Sequence, residues 1–291
     1  MTAGFPTRAI VQARDFLPEV QDELEVRGIP VVLLATPQDA FDWQERLRTE
    51  LRSIGLGRSD LVVALPSWVD VALQELGIPV PRPPDYPKCL EHLLRRKVFR
   101  STLGGVKSLL ALGEVPALFI KPAVGAKGFS GTVVTGPVDE MLEMLLDPCI
   151  FPSLGPEVEV HCGEVVEMNS EYAVYVVDGE VRATCHYMCK RSTCRCKDGD
   201  RALAGEEVVE LDDAVVHEAV RLLAQSEEFH SLTGYRADFA LVSIDGGLTF
   251  DTALVEVNDG YVSGRYDGIS AADFTDMQIS RFAALQRTAG R

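Results

Sequence analysis

Long apolar runs are missing from this sequence. Hydrophobic residues fill 46% of its 291 positions, but no run approaches the ~20 apolar residues that a membrane-spanning helix needs. The first six residues, MTAGFP, also lack the basic and apolar segments of a secretory signal peptide. We therefore expect no membrane partner and a cytoplasmic location.

Basic charge is also scarce. The chain has 28 Lys and Arg against 44 Asp and Glu, which gives a formal net charge of −16. A protein that binds a nucleic-acid backbone needs a basic surface to displace counterions. The composition therefore predicts no nucleic-acid partner, and any polyanion must be bound by a local basic patch.

Two common nucleotide-binding motifs are absent. The first predicted strand is followed by the residues RDFLP at 14–18 and not by the G-x-G-x-x-G turn of a Rossmann fold. A glycine-rich loop at 125–131 lacks the G-x-x-x-x-G-K-[ST] order of a P-loop. A nucleotide would have to be bound by another kind of site.

Hydrophobic periodicity predicts an α/β N-terminal domain. Short apolar strands are expected at 8–13, 29–35 and 60–66, with helices at about 38–54 and 67–76. This βαβαβ order predicts a parallel sheet covered by helices. The proline-rich segment 78–87 is interpreted as a linker, and a helix is expected to contain residues 95–100.

A glycine-rich loop follows the next predicted strand. The strand ends at Lys121, and the loop carries Lys127 and Gly128 before a second strand begins. Exposed backbone amides together with the two lysines would suit a polyphosphate. The alternative is a flexible hairpin with solvated lysines.

Acidic side chains mark two further predicted hairpins. In the first, which turns at Asp178-Gly179, Glu171 could accept hydrogen bonds from ribose hydroxyls, although surface glutamates are usually just solvated. The second displays Asp238 on one strand and Glu256 and Asn258 on the next. Oxygen ligands alone favour Mg²⁺. The alternative for the second hairpin is an ordinary acidic wet face.

The order of these parts resembles the ATP-grasp fold. The motifs are similar to those of the D-alanine–D-alanine ligase branch, in which a lysine–proline strand end precedes a glycine-rich lid, and Arg-x-Asp and Glu-x-Asn form the metal hairpin. Similar phrases occur in small ATP-grasp proteins of bacteria and phages. The resemblance covers about 95–265 and implies an ATP-grasp fold of α+β lobes with a βαβ domain before it. The segments are then 1–87, the N-terminal domain, 88–163, the small lobe with its lid, and 164–291, the large lobe with the metal site.

The resemblance implies a role for each matching residue. For ATP, it implies phosphate contacts by Lys97 and Lys121, a lid containing Lys127, Gly128 and Ser130, an adenine hinge of Glu164, Val165, Val166 and Glu167, and a ribose contact by Glu171. For catalysis, it implies two Mg²⁺ ions on Asp238, Glu256 and Asn258, and protein cations from Arg236, Lys121 and Lys127.

The implied activity is that of an ATP-dependent carboxylate–amine ligase. An acyl phosphate formed from ATP would be attacked by an amine, with amino acids or peptides as substrates and a homodimer as one possible assembly. One alternative is a kinase on the same fold, and another is a nucleotide-binding regulatory module. The ligase branch continues after its Asn with Thr-x-Pro-Gly, whereas this chain continues with Asp259-Gly260-Tyr261, so D-alanine is not the expected substrate.

Cysteine and basic residues are concentrated between positions 185 and 197. Cys185 to Cys196 includes four of the seven cysteines, but their spacing is not the paired C-x-x-C of common zinc sites. Reduced thiols are preferred to zinc. The same segment supplies the substrate candidates Lys190 and Arg191, and Tyr261 and Arg265 are two more.

Overall fold

The computed structural model describes residues 6–13, 16–36, 41–123, 129–189, 210–244 and 249–288. The chain forms two compact units. The first combines Met1–Leu93, Asn169–Leu241 and Phe250–Arg291, and the second combines Leu94–Met168 and Val242–Thr249. The predicted division into 1–87, 88–163 and 164–291 stays a prediction. Among the described helices, none is long and apolar enough to cross a membrane.

A three-stranded parallel sheet begins the first unit. The elements are β1 Arg8–Val11, α1 Pro18–Val26, β2 Val31–Leu33, α2 Trp43–Ser53, β3 Asp60–Val63 and α3 Pro66–Glu75. The strands follow the order β2-β1-β3, and the alternation of strands and helices confirms the predicted βαβ pattern. Strand β1 is apolar because three of its four residues are completely buried.

The second unit is built on a four-stranded antiparallel sheet. The elements are β4 Val98–Thr102, α4 Leu103–Ala111, β5 Ala117–Pro122, β6 Thr132–Thr135, α5 Glu140–Leu145 and β7 Glu159–Gly163. The strand order is β4-β7-β5-β6. The expected helix at 95–100 is wrong, because Arg95 has a φ of 51° and β4 pairs with β7 instead. The helical turn lies earlier, as a 3-10 helix at Lys88–Leu93.

A second four-stranded sheet completes the first unit. The elements are β8 Met168–Val177, β9 Glu180–Cys189, α6 Asp213–Gln225, β10 Gly234–Ser243, β11 Phe250–Asp259 and α7 Ala271–Thr288. The strand order is β11-β10-β8-β9. Asp178 and Gly179 both have positive φ in the turn between β8 and β9, as a tight two-residue hairpin requires. One hydrophobic cluster includes residues of both sheets of this unit, among them Ile10 and Tyr175.

Two glycines allow the start of β10 and the residue after β11 to approach helix α7. A Cβ on Gly234 would lie 2.2 Å from the carbonyl oxygen of Met277, and a Cβ on Gly260 would lie 2.5 Å from the carbonyl oxygen of Gly234. Both obstacles are backbone atoms, which cannot turn away as a side chain can. The close packing in this part of the first unit therefore depends on the absence of side chains at these positions.

We predict that Gly234→Ala lowers the free energy of unfolding by about 3 kcal/mol, the upper range for overpacking. Gly264→Ala is the matched control, since a Cβ there meets no atom within 4 Å. Urea unfolding followed by circular dichroism measures both variants. Equal stabilities for the two would contradict the close approach.

Candidate functional site

Two carboxylates and an amide meet on neighbouring strands of the first unit. Asp238 lies on β10, and Glu256 and Asn258 lie two residues apart on β11. The Asn258 Nδ2 donates to Asp238 Oδ2 at 3.0 Å and to Glu256 Oε1 at 2.9 Å. The alternation of side chains along strands thus brings the three predicted metal residues together.

The chemistry of this cluster fits a hard cation. Asp238 is only 2% exposed, and its Oδ1 is buried with no hydrogen-bond partner among the described residues. Such an orphan acceptor is costly unless a ligand satisfies it. No three His, Cys, Asp or Glu side chains converge on a metal position in the described ranges. Two carboxylates with an amide suit Mg²⁺, which keeps several water or phosphate ligands.

A buried arginine neutralises part of the carboxylate charge. The Arg236 Nη2 donates to Asp238 Oδ2 at 2.8 Å, and the two side chains are 11% and 3% exposed. Burial alone would lower the pKa of Arg236, but the charge and hydrogen bond of Asp238 outweigh that effect and raise it. Arg236 therefore remains a fixed cation beside the metal-type residues.

Asp238 is nevertheless hard to ionise. Burial, opposed by Arg236 and assisted by the charges of Glu256 and Glu171, raises the pKa of Asp238 to about 6. A divalent cation at Oδ1 would reverse this effect, because an adjacent positive charge favours the carboxylate. The free protein thus holds an unfavourable negative charge where a cation is predicted to bind.

An aromatic column borders the same group of residues. The rings of Tyr187 and Tyr266 stack with centroids 4.4 Å apart and an interplanar angle of 2°. The Arg236 guanidinium carbon lies 5.2 Å from the centroid of the Tyr266 ring. Tyr187 also donates from its hydroxyl to Glu171 Oε2 at 2.7 Å. Glu171, the predicted ribose contact, is therefore bonded within this unit to a tyrosine.

In the second unit, the predicted adenine hinge runs beside the start of β4. The Glu164 Oε2 accepts from the backbone nitrogen of Lys97 at 2.9 Å, and the Glu164 nitrogen donates to the Lys97 carbonyl at 3.0 Å. The Glu167 carbonyl accepts from the Ser243 nitrogen at 3.0 Å. Val165 is 50% exposed and Val166 is half-buried. The hinge segment is thus fixed by its backbone while an apolar side chain remains exposed.

A cross-strand row around Lys121 was missed by the sequence reasoning. His161 on β7 lies opposite Arg100 on β4 and opposite Lys121 on β5, so the three side chains project from the same face of the sheet. Neighbouring Val160 and Cys162 point to the other face, into the core. The signal could be found only with the strand register, because the three residues are far apart in the sequence.

The remaining predicted residues are distributed differently. Ser130 is exposed, whereas Lys127, Gly128, Lys190 and Arg191 lie outside the described residues. Their roles stay predictions.

The two other substrate candidates belong to the first unit. Tyr261 is 7% exposed, packs in the hydrophobic cluster and donates to Asp70 Oδ1 at 3.3 Å. Arg265 donates from Nη2 to the Ile269 carbonyl at 2.9 Å, and its buried Nε has no partner among the described residues. Tyr261 thus has the surroundings of a core residue, whereas Arg265 retains an unused donor.

Two of the four clustered cysteines are described, and both are free thiols. Cys185 is 2% exposed, and its burial raises the pKa of the thiol to about 11. His186 does not face a metal, since its ring stacks on Tyr172 at 4.7 Å and its Nε2 lies 3.0 Å from the Met188 carbonyl oxygen. Cys194 and Cys196 lie outside the described residues, so the preference for thiols over zinc stays a prediction.

The antiparallel sheet of the second unit, the oxygen-donor hairpin of the first and the N-terminal parallel sheet together define the class of ATP-grasp proteins. The chain belongs to one particular family of that class, since residues 93–277 match the model of an ATP-grasp domain that is the second family of its clade. No match to the sequence is found among curated proteins.

Solved structures of ATP-grasp ligases share the fold. D-alanine–D-alanine ligase from Bacillus anthracis is similar with a TM-score of 0.55 and 16% identity, over 98% of this chain and 99% of that chain. The same ligase complexed with ATP gives a TM-score of 0.51 and 13% identity, with the same coverage. The ATP-grasp ligase PsnB complexed with a minimal precursor gives 0.45 and 15%, over 95% and 99%. The comparisons support the broad class of ATP-dependent ligases.

We predict that the raised pKa of Asp238 makes the metal-free protein lose stability with rising pH. The protonated carboxyl is favoured in the folded state, so its contribution is complete below about pH 4 and is lost as the pH rises through about 6. Relative to Asp238→Asn, the unfolding free energy of the wild type should fall by about 1 kcal/mol per pH unit across that window.

Urea unfolding in EDTA between pH 4 and pH 7 measures this difference. Other titrating groups cancel, since both proteins contain them. A difference that does not change with pH would contradict the raised pKa.

Proposed function

We propose that the protein is an ATP-dependent carboxylate–amine ligase that releases ADP and phosphate. The observation that carries the proposal is the cluster of Asp238, Glu256 and Asn258 beside the buried cation Arg236, in a chain of an ATP-grasp family. A hard cation and a fixed arginine on one face suit a reaction in which negative charge develops on phosphoryl oxygens.

ATP would supply the phosphoryl group that activates a carboxylate, and two Mg²⁺ ions would neutralise its charge. Asp238, Glu256 and Asn258 would hold the metal; rotation of the Asn258 amide by 180° would present oxygen in place of the nitrogen that now donates to both carboxylates. Arg236 would stabilise the transferred group and the acyl phosphate. The amine then attacks the activated carbonyl and displaces phosphate.

The second unit would bind the nucleotide through its row of basic side chains. Lys121 and Lys97 are proposed to contact the phosphates, with Arg100 and His161 added to the set on the basis of their register with Lys121. Arg100 makes only a long ion pair with Glu159, at 3.9 Å with both side chains more than half exposed. Such a pair is weak, so it leaves Arg100 available to a phosphate.

The proposed substrates are an amino acid or peptide carboxylate and an amine. The ligase in the similar solved structure, D-alanine–D-alanine ligase, joins substrates of this kind by its name. The rival activity is a kinase on the same fold, whose phosphorylated product would be released without an amine. A nucleotide-binding regulatory module is the third outcome that the experiment must separate.

We predict phosphate release that depends on both a carboxylate and an amine. The screen incubates the protein with ATP, Mg²⁺ and pools of amino acids and dipeptides, measures ADP and phosphate, and identifies products by mass spectrometry. Asp238→Asn and Glu256→Gln should each reduce turnover about 100-fold or more, the scale of losing a transition-state electrostatic contact, while circular dichroism remains unchanged.

The outcomes separate the three functions. A stable phosphorylated product without free phosphate would indicate a kinase, and ATP binding without turnover on every pool would indicate the module. Full turnover in both carboxylate variants would sink the metal assignment.

We predict that Lys121→Ala and Arg100→Gln each weaken ATP binding about tenfold, since each removes a charged hydrogen-bond donor. Isothermal calorimetry with a non-hydrolysable ATP analogue measures the affinity. Lys107→Ala is the control in the same unit, because Lys107 instead pairs with Glu143 at 2.7 Å. Unchanged affinity in the Arg100 variant would remove that residue from the site.

A further inference from the structure

Tyr266 lies in the middle of a three-layer column. One face of its ring stacks on Tyr187, with centroids 4.4 Å apart and planes within 2° of parallel. The guanidinium carbon of Arg236 lies 5.2 Å from the same ring centroid, within the range of a cation–π contact. The arginine next to the carboxylates is thus in contact with a tyrosine that the sequence motifs did not single out.

The backbone before this tyrosine is fixed by the core. The Tyr175 hydroxyl donates to the Gly264 carbonyl at 2.8 Å and accepts from the Tyr266 nitrogen at 3.0 Å. Tyr175 itself is completely buried on β8, and burial raises the pKa of its hydroxyl, which keeps it protonated. The position of the Tyr266 ring is therefore set by the sheet beneath it.

The other end of the column is fixed by an irregularity in β9. The register passes from Glu171 opposite Met188 to Tyr172 opposite His186, which leaves Tyr187 as the extra residue of a bulge. A bulge redirects a side chain relative to the regular alternation. Here it accompanies a Tyr187 side chain that stacks on Tyr266 and whose hydroxyl donates to Glu171.

Arg236 needs such a support. Its Nη2 is paired with Asp238, but its Nε is buried with no hydrogen-bond partner among the described residues. A single ion pair fixes one end of a planar guanidinium and leaves its tilt open. A flat aromatic face restricts that tilt, because guanidinium groups stack on rings.

We propose that Tyr266 is a positioning residue that holds the Arg236 guanidinium in the orientation needed to stabilise a transferred phosphoryl group. The inference rests on the proposed ligase function for its catalytic consequence, but the positioning itself is a property of the free protein. Orientation matters because a donor stabilises developing charge only when it is already aimed at it.

The first test measures the free protein and needs no activity. In ¹⁵N-labelled protein, the Arg236 Nε–H resonance is assigned by its loss in Arg236→Lys, and its exchange with solvent is measured in the wild type, Tyr266→Phe and Tyr266→Leu. We expect slow exchange in the wild type and the Phe variant, which keep the ring, and exchange about tenfold faster in the Leu variant, which loses a contact of this strength. Equal exchange in all three proteins would overturn the proposal.

The second test measures kinetics. Tyr266→Leu should lower kcat about tenfold with the KM for ATP within about twofold, whereas Tyr266→Phe should stay near the wild type. Tyr172→Leu is the matched control, because it removes a different aromatic stack, with His186, and should leave kcat unchanged. A Phe variant as slow as the Leu variant would overturn the proposal, since the hydroxyl and not the ring would then be required.

The two tests fail separately. If the wild type turns over no ATP with any substrate pool, the proposed function fails, and the exchange measurement alone decides whether Tyr266 positions Arg236. If turnover is present and the Leu variant keeps full kcat, the positioning role fails while the ligase remains.

Discussion

The buried ion pair between Arg236 and Asp238 is the constraint on which the candidate site depends. Placing a carboxylate at 2% exposure beside a second carboxylate costs several kcal/mol unless other groups compensate. Arg236 supplies one compensation, and the Asn258 amide supplies another by donating to both acids. Even so, the pKa of Asp238 stays raised because burial outweighs these contacts. A cation at the unpartnered oxygen would complete the compensation, which makes the cost of the free state part of the reason for metal binding.

Packing behind the hairpin keeps these groups in place. Asp259 follows Asn258 directly and forms a two-pronged buried ion pair with Arg281 of α7, at 2.7 and 2.6 Å. Gln278 of the same helix donates to the Gly260 carbonyl at 2.7 Å. The end of β11 is therefore tied to α7, and the glycines at 234 and 260 allow the close approach that these bonds need. Helix α7 is far from the motifs in sequence, yet it fixes the strand that carries Glu256 and Asn258.

The sequence could predict features that depend on local pattern. Alternation along strands places Asp238, Glu256 and Asn258 on one face, and Asp178-Gly179 marks its turn, because both follow from the geometry of neighbouring residues. The helix at 95–100 was wrong because its charged residues mask a strand that forms only by pairing with β7. Arg100 and His161 were missed for the same reason, since cross-strand neighbours are not visible in a linear pattern. Tyr187 required a bulge, which no local rule indicates.

The segment after Asn258 shows where specificity differs from the D-alanine–D-alanine ligase branch. Asp259 and Tyr261 are used internally, by Arg281 and by Asp70, and the Ser263 hydroxyl donates to the Asp259 carbonyl at 2.9 Å. These residues hold the chain end of the hairpin together, so they are not the place to seek substrate contacts. Beyond them, the hydroxyl of Tyr175 fixes the backbone at Gly264 and Tyr266. The stretch that replaces the Thr-x-Pro-Gly turn thus begins structurally and then supplies Arg265, with an unused buried donor, and Tyr266, against Arg236. A change of substrate in this family member is therefore best sought in residues 264–268, whose backbone is fixed by the core while the side chains differ from those of the ligase branch.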